Sequence, residues 1–250
     1  MSQKRDPIGV MDSGVGGIST LRDMIRELPD ERFIYYGDMA NAPYGTKSTE
    51  EVIACVRKVV DKMTAQQVKA LVIACNTATG AAAAVLREEL NIPVVGMEPA
   101  LKPAARMRKN GSVLVLATPL TLHQEKFENL MKQYGEGAVK VPCPGLMELV
   151  EADDREGARQ YLTELFKRYP AEQVDAVVLG CTHYVFLKDM FRELLPDRIA
   201  ITDGNEGTAR QLRRVLDRVN LLNDEGPGSV TLQTSGGESA MALMQKLLNS

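Results

Sequence analysis

Histidine and cysteine are scarce in this sequence, which has two His and four Cys in 250 residues. With only His123 and His183 available, a histidine-rich metal site is not expected, and four cysteines are too few for a disulfide scaffold. Charge of one sign is lacking too, since 33 acidic and 30 basic side chains leave a net charge of −3. The chain therefore lacks the excess of basic residues that is typical of proteins that bind nucleic acid or an anionic membrane.

Long apolar runs are also lacking. No stretch approaches the ~18 apolar residues of a membrane span, and the first apolar run, Ile8–Met11, is too short for a signal-peptide core. The content of 44% hydrophobic and 25% charged residues is ordinary for a globular protein. We therefore expect a cytoplasmic protein with reduced thiols that binds neither membrane nor nucleic acid.

Short apolar runs alternate with longer helical patterns along the chain. The runs are nearly continuous rather than alternating, which is typical of strands buried on both faces of a parallel sheet. The predicted strands are Ile8–Met11, Phe33–Tyr36, Ala70–Ala74, Val94–Gly96, Val113–Ala117, Val139–Val141, Ala176–Leu179, Ile199–Ile201 and Val230–Gln233. The predicted helices are Gly17–Leu28, Ser48–Gln66, Thr79–Leu90, Leu120–Tyr134, Asp154–Arg168, Val185–Leu195, Glu206–Val219 and a closing helix. Ser48 and Glu51 have the spacing of a capping box. The alternation predicts an α/β fold.

An internal repeat divides the chain. The segment Gln67–Cys75 aligns with Gln173–Cys181 at an offset of 106, and the same offset superimposes three further pairs of predicted strands without a gap. The repeat predicts two similar α/β halves, each with a cysteine directly after its third strand. Since ligands of open α/β sheets bind outside the carboxyl ends of the strands, Cys75 and Cys181 are candidates for one shared site.

Two thiols that face each other suit one kind of reaction. Inverting a carbon centre requires a base on one side of the carbon and an acid on the other, and the two roles exchange when the direction reverses. Cysteine can serve as either, since its unperturbed pKa of about 8.5 lies near neutrality. A single buried Cys is often only a small hydrophobe, and we interpret Cys55 as core packing and Cys143 either as structural or as a residue that supports the site residues from behind.

Further candidates lie at the ends of the predicted strands. The loop Asp12–Gly17 follows the first strand; it lacks the Gly-Lys-Ser/Thr of a phosphate loop and, with Ser19, the dinucleotide pattern. The turn formed by Pro43, Tyr44 and Gly45 follows the second strand. Thr118 and Thr121 follow the fifth, as ligand contacts or as a helix cap. His183 lies two residues after Cys181, and Glu151 ends an apolar run.

Several of these segments together resemble the glutamate racemases of the cofactor-independent aspartate/glutamate racemase superfamily, over essentially the whole chain. The pair Cys75-Asn76-Thr77-Ala78 and Gly180–Tyr184 is the most specific signal. The other matching segments are Asp12–Gly17, Tyr36–Asp38, Pro43–Gly45, Thr118–Thr121, Cys143-Pro144 and Leu149–Glu151.

The resemblance implies interconversion of L- and D-glutamate, which supplies D-glutamate for peptidoglycan, with no cofactor and no metal. It implies that Cys75 and Cys181 exchange the α-proton, with Asp12 assisting Cys75, and His183 with Glu151 assisting Cys181. It also implies a group of substrate-binding residues: Ser13, Pro43, Tyr44, Gly45, Asn76, Thr77, Thr118, Thr121 and Thr182. The expected architecture is two pseudo-symmetric Rossmann-like parallel-sheet domains, residues 1–97 plus 208–250 and residues 98–207, with the active site in the cleft between them, in a homodimer.

The chain departs from the family pattern at Met39, Asn41, Gln124 and Asp203–Thr208, which leaves contacts at the pocket rim and substrate choice open. The alternatives are a racemase for aspartate or another acidic substrate, a Cys–His hydrolase or transferase that uses only Cys181 and His183, and a binding protein without activity.

Overall fold

The computed structural model describes residues 3–250. It separates into two compact units. Unit 1 comprises the chain up to Met97 together with Asn205–Ser250, and unit 2 comprises Glu98–Gly204. Within the described residues, no helix combines the length and apolarity needed to cross a membrane.

Unit 1 contains a five-stranded parallel sheet in the order β4-β3-β1-β2-β9. Its strands are β1 (Ile8–Asp12), β2 (Arg32–Gly37), β3 (Ala70–Ile73), β4 (Val94–Gly96) and β9 (Ser229–Thr234). Its helices are α1 (Ile18–Glu27), α2 (Thr49–Thr64), α3 (Asn76–Glu89), α10 (Asn205–Arg218) and α11 (Glu238–Leu248).

Unit 2 contains a four-stranded parallel sheet in the order β6-β5-β7-β8. Its strands are β5 (Ser112–Ala117), β6 (Ala138–Pro142), β7 (Val174–Leu179) and β8 (Ala200–Asp203). Its helices are α4 (Leu101–Met107), α5 (Pro119–His123), α6 (Glu125–Tyr134), α7 (Leu146–Glu151), α8 (Arg155–Phe166) and α9 (Lys188–Leu194). The prediction of two α/β domains with parallel sheets is confirmed.

The two sheets repeat one topology. The order β8-β7-β5-β6 in unit 2 corresponds to β4-β3-β1-β2 in unit 1. The pairing of Ile8 with Phe33 recurs as the pairing of Leu114 with Val139, displaced by the 106 residues of the sequence repeat. Strand β9 breaks the correspondence, because in the described chain only the sheet of unit 1 carries a fifth strand, next to β2.

The core forms on both faces of each sheet, as the apolar runs predict. In β5, Leu114 and Leu116 enter one cluster of buried side chains, whereas Val113, Val115 and Ala117 enter another. Successive side chains of a strand point to opposite faces, so an uninterrupted apolar run can supply two cores. Each fully buried Val or Leu contributes roughly 1.5–3 kcal/mol to folding.

The predicted strands agree with the structure to within two residues at each end, but several helix predictions are wrong in detail. The predicted helix Leu120–Tyr134 is two helices, because Gln124 adopts an extended conformation between α5 and α6. Helix α3 begins three residues before the predicted start, and the predicted helix at Val185 is a 3₁₀ helix, Thr182–Leu187, followed by α9. Helices α4 and α7, of seven and six residues, were not predicted.

The capping box that was predicted at the start of α2 is present. The Ser48 side chain accepts the backbone N–H of Glu51, and the Glu51 side chain accepts the backbone N–H of Ser48. Two backbone donors that the helix itself leaves unpaired are thereby satisfied. Helix α2 therefore begins at a defined residue, a few positions after the turn of Pro43, Tyr44 and Gly45.

Candidate active site

Asp12 lies at the carboxyl end of β1 and is fully buried. Its Oδ1 accepts the backbone N–H of Gly14 at 2.7 Å, and the Tyr35 hydroxyl donates to the Gly14 carbonyl at 2.7 Å. A Cβ on Gly17 would lie 2.7 Å from the Cβ of Asp12, so α1 can begin this close to β1 only with glycine there. The glycine-rich loop thus holds a buried carboxylate at the edge of the sheet.

Cys75 lies two residues after the end of β3 and is the N-terminal cap of α3. Its Sγ accepts the backbone N–H of Ala78 at 3.4 Å, and the Ser13 Oγ lies 3.8 Å from it. A helix N-terminus favours the thiolate, because the unpaired N–H groups present partial positive charge to the sulfur. The structure therefore brings Asp12, Ser13 and Cys75 together at one edge of the sheet of unit 1.

Asn76 and Thr77 form the first turn of α3, and both are buried. Within residues 3–250, Asn76 Oδ1 is the one buried side-chain nitrogen or oxygen atom without a hydrogen-bond partner. Such an acceptor is costly to bury, so it is suited to receive a donor from a ligand, such as an ammonium group.

Tyr44 anchors the turn that it forms with Pro43 and Gly45. Its side chain is buried and its hydroxyl donates to Asp38 Oδ2 at 2.7 Å, whereas Pro43 and Gly45 are half-buried. Burial, and then the hydrogen bond to Asp38, raise the pKa of Tyr44 far above its usual range, so the phenol stays neutral. The Ala42–Pro43 peptide bond is cis.

Asp38 was not among the predicted site residues, although it follows β2 at the same edge of the sheet. The signal that could have identified it is this position, which corresponds to that of Asp12 at the end of β1 and of Cys75 just after β3.

Cys181 occupies in unit 2 the place that Cys75 occupies in unit 1. It caps the 3₁₀ helix Thr182–Leu187, with φ −134° and ψ 136°, against −137° and 123° at Cys75. Both thiols are nearly buried, with exposed fractions of 8% and 6%. The equivalence predicted from the repeat therefore extends to the backbone conformation of the two cysteines.

A buried imidazole and a carboxylate support Cys181. His183 Nδ1 lies 3.7 Å from the sulfur, and His183 Nε2 lies 3.0 Å from Glu151 Oε1, at the end of α7. Burial opposes the protonated imidazole, but the hydrogen bonds to Cys181 and Glu151 outweigh it and place the pKa of His183 well above its usual value. A protonated imidazole next to a sulfur stabilises the thiolate.

Three buried threonines lie near the carboxyl end of the sheet in unit 2. Thr118 follows β5 and caps α5, because its Oγ1 accepts the backbone N–H of Thr121 at 3.3 Å and donates to the Thr121 hydroxyl at 3.0 Å. The cap that was predicted as an alternative role for Thr118 is therefore present. Thr182 is the first residue after Cys181 and is buried.

The two remaining cysteines differ in environment. Cys143 is buried, its Sγ donates to the Val141 carbonyl at 3.4 Å, and burial followed by the neighbouring Cys181 raises its pKa to about 12, so it remains a thiol. The structural role predicted for it fits this environment. Cys55 lies on α2 and is half-buried rather than in the core, which corrects the core-packing prediction. Within residues 3–250, no cysteine forms a disulfide, and no cluster of three or more His, Cys, Asp or Glu side chains is suited to hold a metal ion.

The sequence model of the Asp/Glu/Hydantoin racemases matches residues 8–212, which is most of the chain and includes every residue named in the candidate site. This chain belongs to the Asp/Glu/Hydantoin racemase family. The racemase family is represented among curated proteins by the glutamate racemase of Clostridium acetobutylicum, which is 51% identical over 228 residues and 89% of each chain.

Solved structures of racemases agree with this assignment. The crystal structure of a glutamate racemase from Bacillus anthracis is 33% identical, has a TM-score of 0.87, and matches over 99% of this chain and 96% of its own. The glutamate racemase of Francisella tularensis, crystallised with D-glutamate, is 25% identical, has a TM-score of 0.84, and matches over 99% and 95%. The resemblance read from the cysteine motifs is confirmed, and membership of the family makes this chain an isomerase. The roles of individual residues stay predictions.

Proposed function

We propose that this racemase interconverts L- and D-glutamate without a cofactor, with Cys75 and Cys181 as the two proton-transfer groups. The observation that carries the proposal is the pair of nearly buried thiols that follow equivalent strands with nearly the same backbone dihedral angles. Inversion at a carbon needs one proton-transfer group on each face, and a duplicated fold supplies two of the same kind.

In the D-to-L direction, the Cys75 thiolate removes the α-proton of D-glutamate. The electron pair of the broken C–H bond stays on the carbon skeleton and then takes a proton from the Cys181 thiol on the opposite face. Cys75 ends as a thiol and Cys181 as a thiolate, so the enzyme is ready for the L-to-D direction. No redox partner is needed, because one proton leaves and one proton arrives.

Each thiol has its own means of support. The N–H of Ala78 and the Ser13 hydroxyl lie at the Cys75 sulfur, and buried Asp12 accepts the nearby N–H of Gly14. Cys181 instead has the imidazole of His183, which Glu151 holds from its other nitrogen. We propose that Asp12 assists proton transfer at Cys75, and that His183 with Glu151 assists it at Cys181.

The substrate's charged groups match the donors and acceptors nearby. Asn76 Oδ1 is an acceptor suited to the ammonium group. Thr77 and Thr182 lie in the first turns of the helices after the two cysteines, where N–H groups favour a carboxylate. We propose that Ser13, the turn of Pro43, Tyr44 and Gly45, and Thr118 with Thr121 complete the pocket. The choice of glutamate follows the relatives, one of which was crystallised with D-glutamate.

A supply of D-glutamate for peptidoglycan, a cytoplasmic location and a homodimer complete the proposal. The mass of the purified protein in solution tests the homodimer against the 27.4 kDa of a single chain.

The decisive experiment incubates the purified protein with D-glutamate in D₂O and follows optical activity and mass together. We expect loss of circular dichroism and the appearance of deuterium at the α-carbon of the product. Cys75→Ala and Cys181→Ala should each abolish racemisation, whereas Cys55→Ala, a change on the same type of residue in α2, should not.

Three outcomes contradict the proposal in different ways. If the circular dichroism stays constant with D-glutamate but D-aspartate is turned over, the substrate is aspartate and not glutamate. Normal turnover by either single variant refutes the two-thiol mechanism. A covalent acyl adduct on Cys181 that survives Cys75→Ala indicates a hydrolase or transferase instead.

A further inference from the structure

The C-terminal segment supplies strand β9, whose carboxyl end lies at the same end of the sheet as the proposed site residues of unit 1. Strand β9 pairs with β2 in parallel, from Arg32 opposite Ser229 to Gly37 opposite Thr234. Parallel pairing brings the carboxyl ends of both strands to the same edge, so Ser235, the first residue after β9, lies next to Asp38, the first after β2.

Asp38 is the centre of a buried hydrogen-bond network. Its carboxylate accepts the Tyr44 hydroxyl at 2.7 Å, the Ser235 hydroxyl at 2.8 Å, and the Asn41 amide at 3.0 Å to each oxygen. Its exposed fraction is 3%, and within residues 3–250 no Lys, Arg or His forms an ion pair with it. The side chains that donate hydrogen bonds to this buried carboxylate are all neutral, so each donor matters more than on the surface.

Ser235 makes a second contact with the same loop. Its Oγ accepts the backbone N–H of Ala40 at 3.0 Å while it donates to Asp38. Gly236 packs against the loop as well, since a Cβ there would lie 3.0 Å from the Cβ of Met39. The loop from Asp38 to Gly45 is thus fastened at its start by a residue almost two hundred positions later in the chain.

We propose that Ser235 is a positioning residue for the substrate-binding turn of Pro43, Tyr44 and Gly45, acting through Asp38 and Tyr44. The inference rests on the proposed function for the role of that turn. It also gives a role to Met39 and Asn41, two of the positions at which the chain departs from the family pattern. Asn41 donates to both oxygens of Asp38, and Met39 packs against Gly236.

Removing the hydroxyl should affect substrate binding more than proton transfer, because the hydrogen bonds of Ser235 go to Asp38 and Ala40, in the loop that leads to the substrate-binding turn. Ser235→Ala leaves Asp38 with one donor fewer and the Ala40 N–H without its acceptor. We expect KM to rise about ten-fold for both enantiomers with kcat changed less than three-fold, which is the signature of lost ground-state and transition-state binding together.

The test compares Ser235→Ala with Ser235→Thr, which keeps a hydroxyl, and with Ser229→Ala, an exposed serine on the same strand. KM and kcat are measured in both directions, with the melting temperature recorded for each variant. We expect Ser235→Thr to restore KM to within three-fold of the parent and Ser229→Ala to leave it unchanged. A normal KM for Ser235→Ala, or an equal rise in Ser229→Ala, would overturn the inference.

A second readout does not depend on turnover. In protein with ¹³C-labelled tyrosine rings, the Tyr44 signal is assigned from Tyr44→Phe. It should shift in Ser235→Ala and not in Ser229→Ala, because only the former changes the carboxylate that Tyr44 binds. A parent protein inactive on glutamate contradicts the proposed function, whereas an unmoved Tyr44 signal contradicts the positioning role, whatever the activity.

Discussion

Lys69 and Glu31 form a fully buried ion pair in unit 1. They lie at the amino ends of β3 and β2, opposite the strand end that carries Cys75. The side chains are 0% and 2% exposed, and Nζ lies 2.6 Å from Glu31 Oε2. Lys69 Nζ also donates to the carbonyl of Lys4, and Glu31 Oε1 accepts the backbone N–H of Asn223 at 2.8 Å. The pair therefore ties the start of β3 to the N-terminal residues and to the loop before β9.

Lys69→Met removes the cation and leaves Glu31 buried without its counter-ion. At 2.6 Å and an effective dielectric constant of about 20, the lost attraction is roughly 6 kcal/mol, which is partly offset because the variant no longer has to desolvate an ammonium group on folding. Breaking a buried pair on one side typically costs about 3–5 kcal/mol, and we expect that loss in the free energy of unfolding. For a chain of this size it lowers the melting temperature by roughly 10 °C.

The assay is urea unfolding followed by circular dichroism, with Lys167→Met as the matched control. Lys167 pairs with Glu164 on the exposed surface, where both side chains are about two-thirds exposed, so that variant should lose less than about 1 kcal/mol. Glu31→Gln should restore much of the loss when it is added to Lys69→Met, because no unpaired charge then remains. Equal stability of Lys69→Met and Lys167→Met, or a double variant as unstable as the sum of the two single variants, would refute the reasoning.

Two further predictions concern His183, whose pKa the structure places well above its usual value. Glu151→Gln should lower that pKa, since it removes a charge partner 3.0 Å away; with only two histidines the ring signals are easily followed by NMR, and Glu136→Gln on the surface is the control. An unchanged His183 titration would contradict it. A raised pKa also means that the protonated imidazole stabilises the fold below the unfolded pKa of about 6.5. The stability of the parent over His183→Gln should therefore fall as the pH rises from 6.5 through the pKa of folded His183, and a difference that grows with pH has the wrong sign.

The strands and the two cysteines could be predicted because their signals are local. Uninterrupted runs such as Val113–Ala117 bounded by polar residues fix a buried parallel strand, and the repeat fixes where the equivalent residues fall. The start of α3 was missed because Cys-Asn-Thr is a poor helix former, although Cys75 acts there as the cap.

The networks of charged residues could not be predicted, because they join residues far apart in the chain. The bond between Ser235 and Asp38 spans 197 positions and exists only because β9 pairs with β2. Lys69 and Glu31 would be assigned to the surface by residue type, since Lys and Glu are almost never fully buried unless they are paired. Only the folded chain shows that they are paired.

The two thiols have nearly the same backbone conformation but unlike partners, and thermodynamics limits what this difference can do. Enantiomers have equal free energies in water, so the equilibrium constant of the proposed reaction is one. The ratio kcat/KM must then be the same in both directions, however differently Asp12 supports Cys75 and the imidazole–carboxylate pair supports Cys181. Any inequality between the halves can appear only as a proportional change in kcat and KM, so that the enantiomer with the lower KM is also the one converted more slowly at saturation.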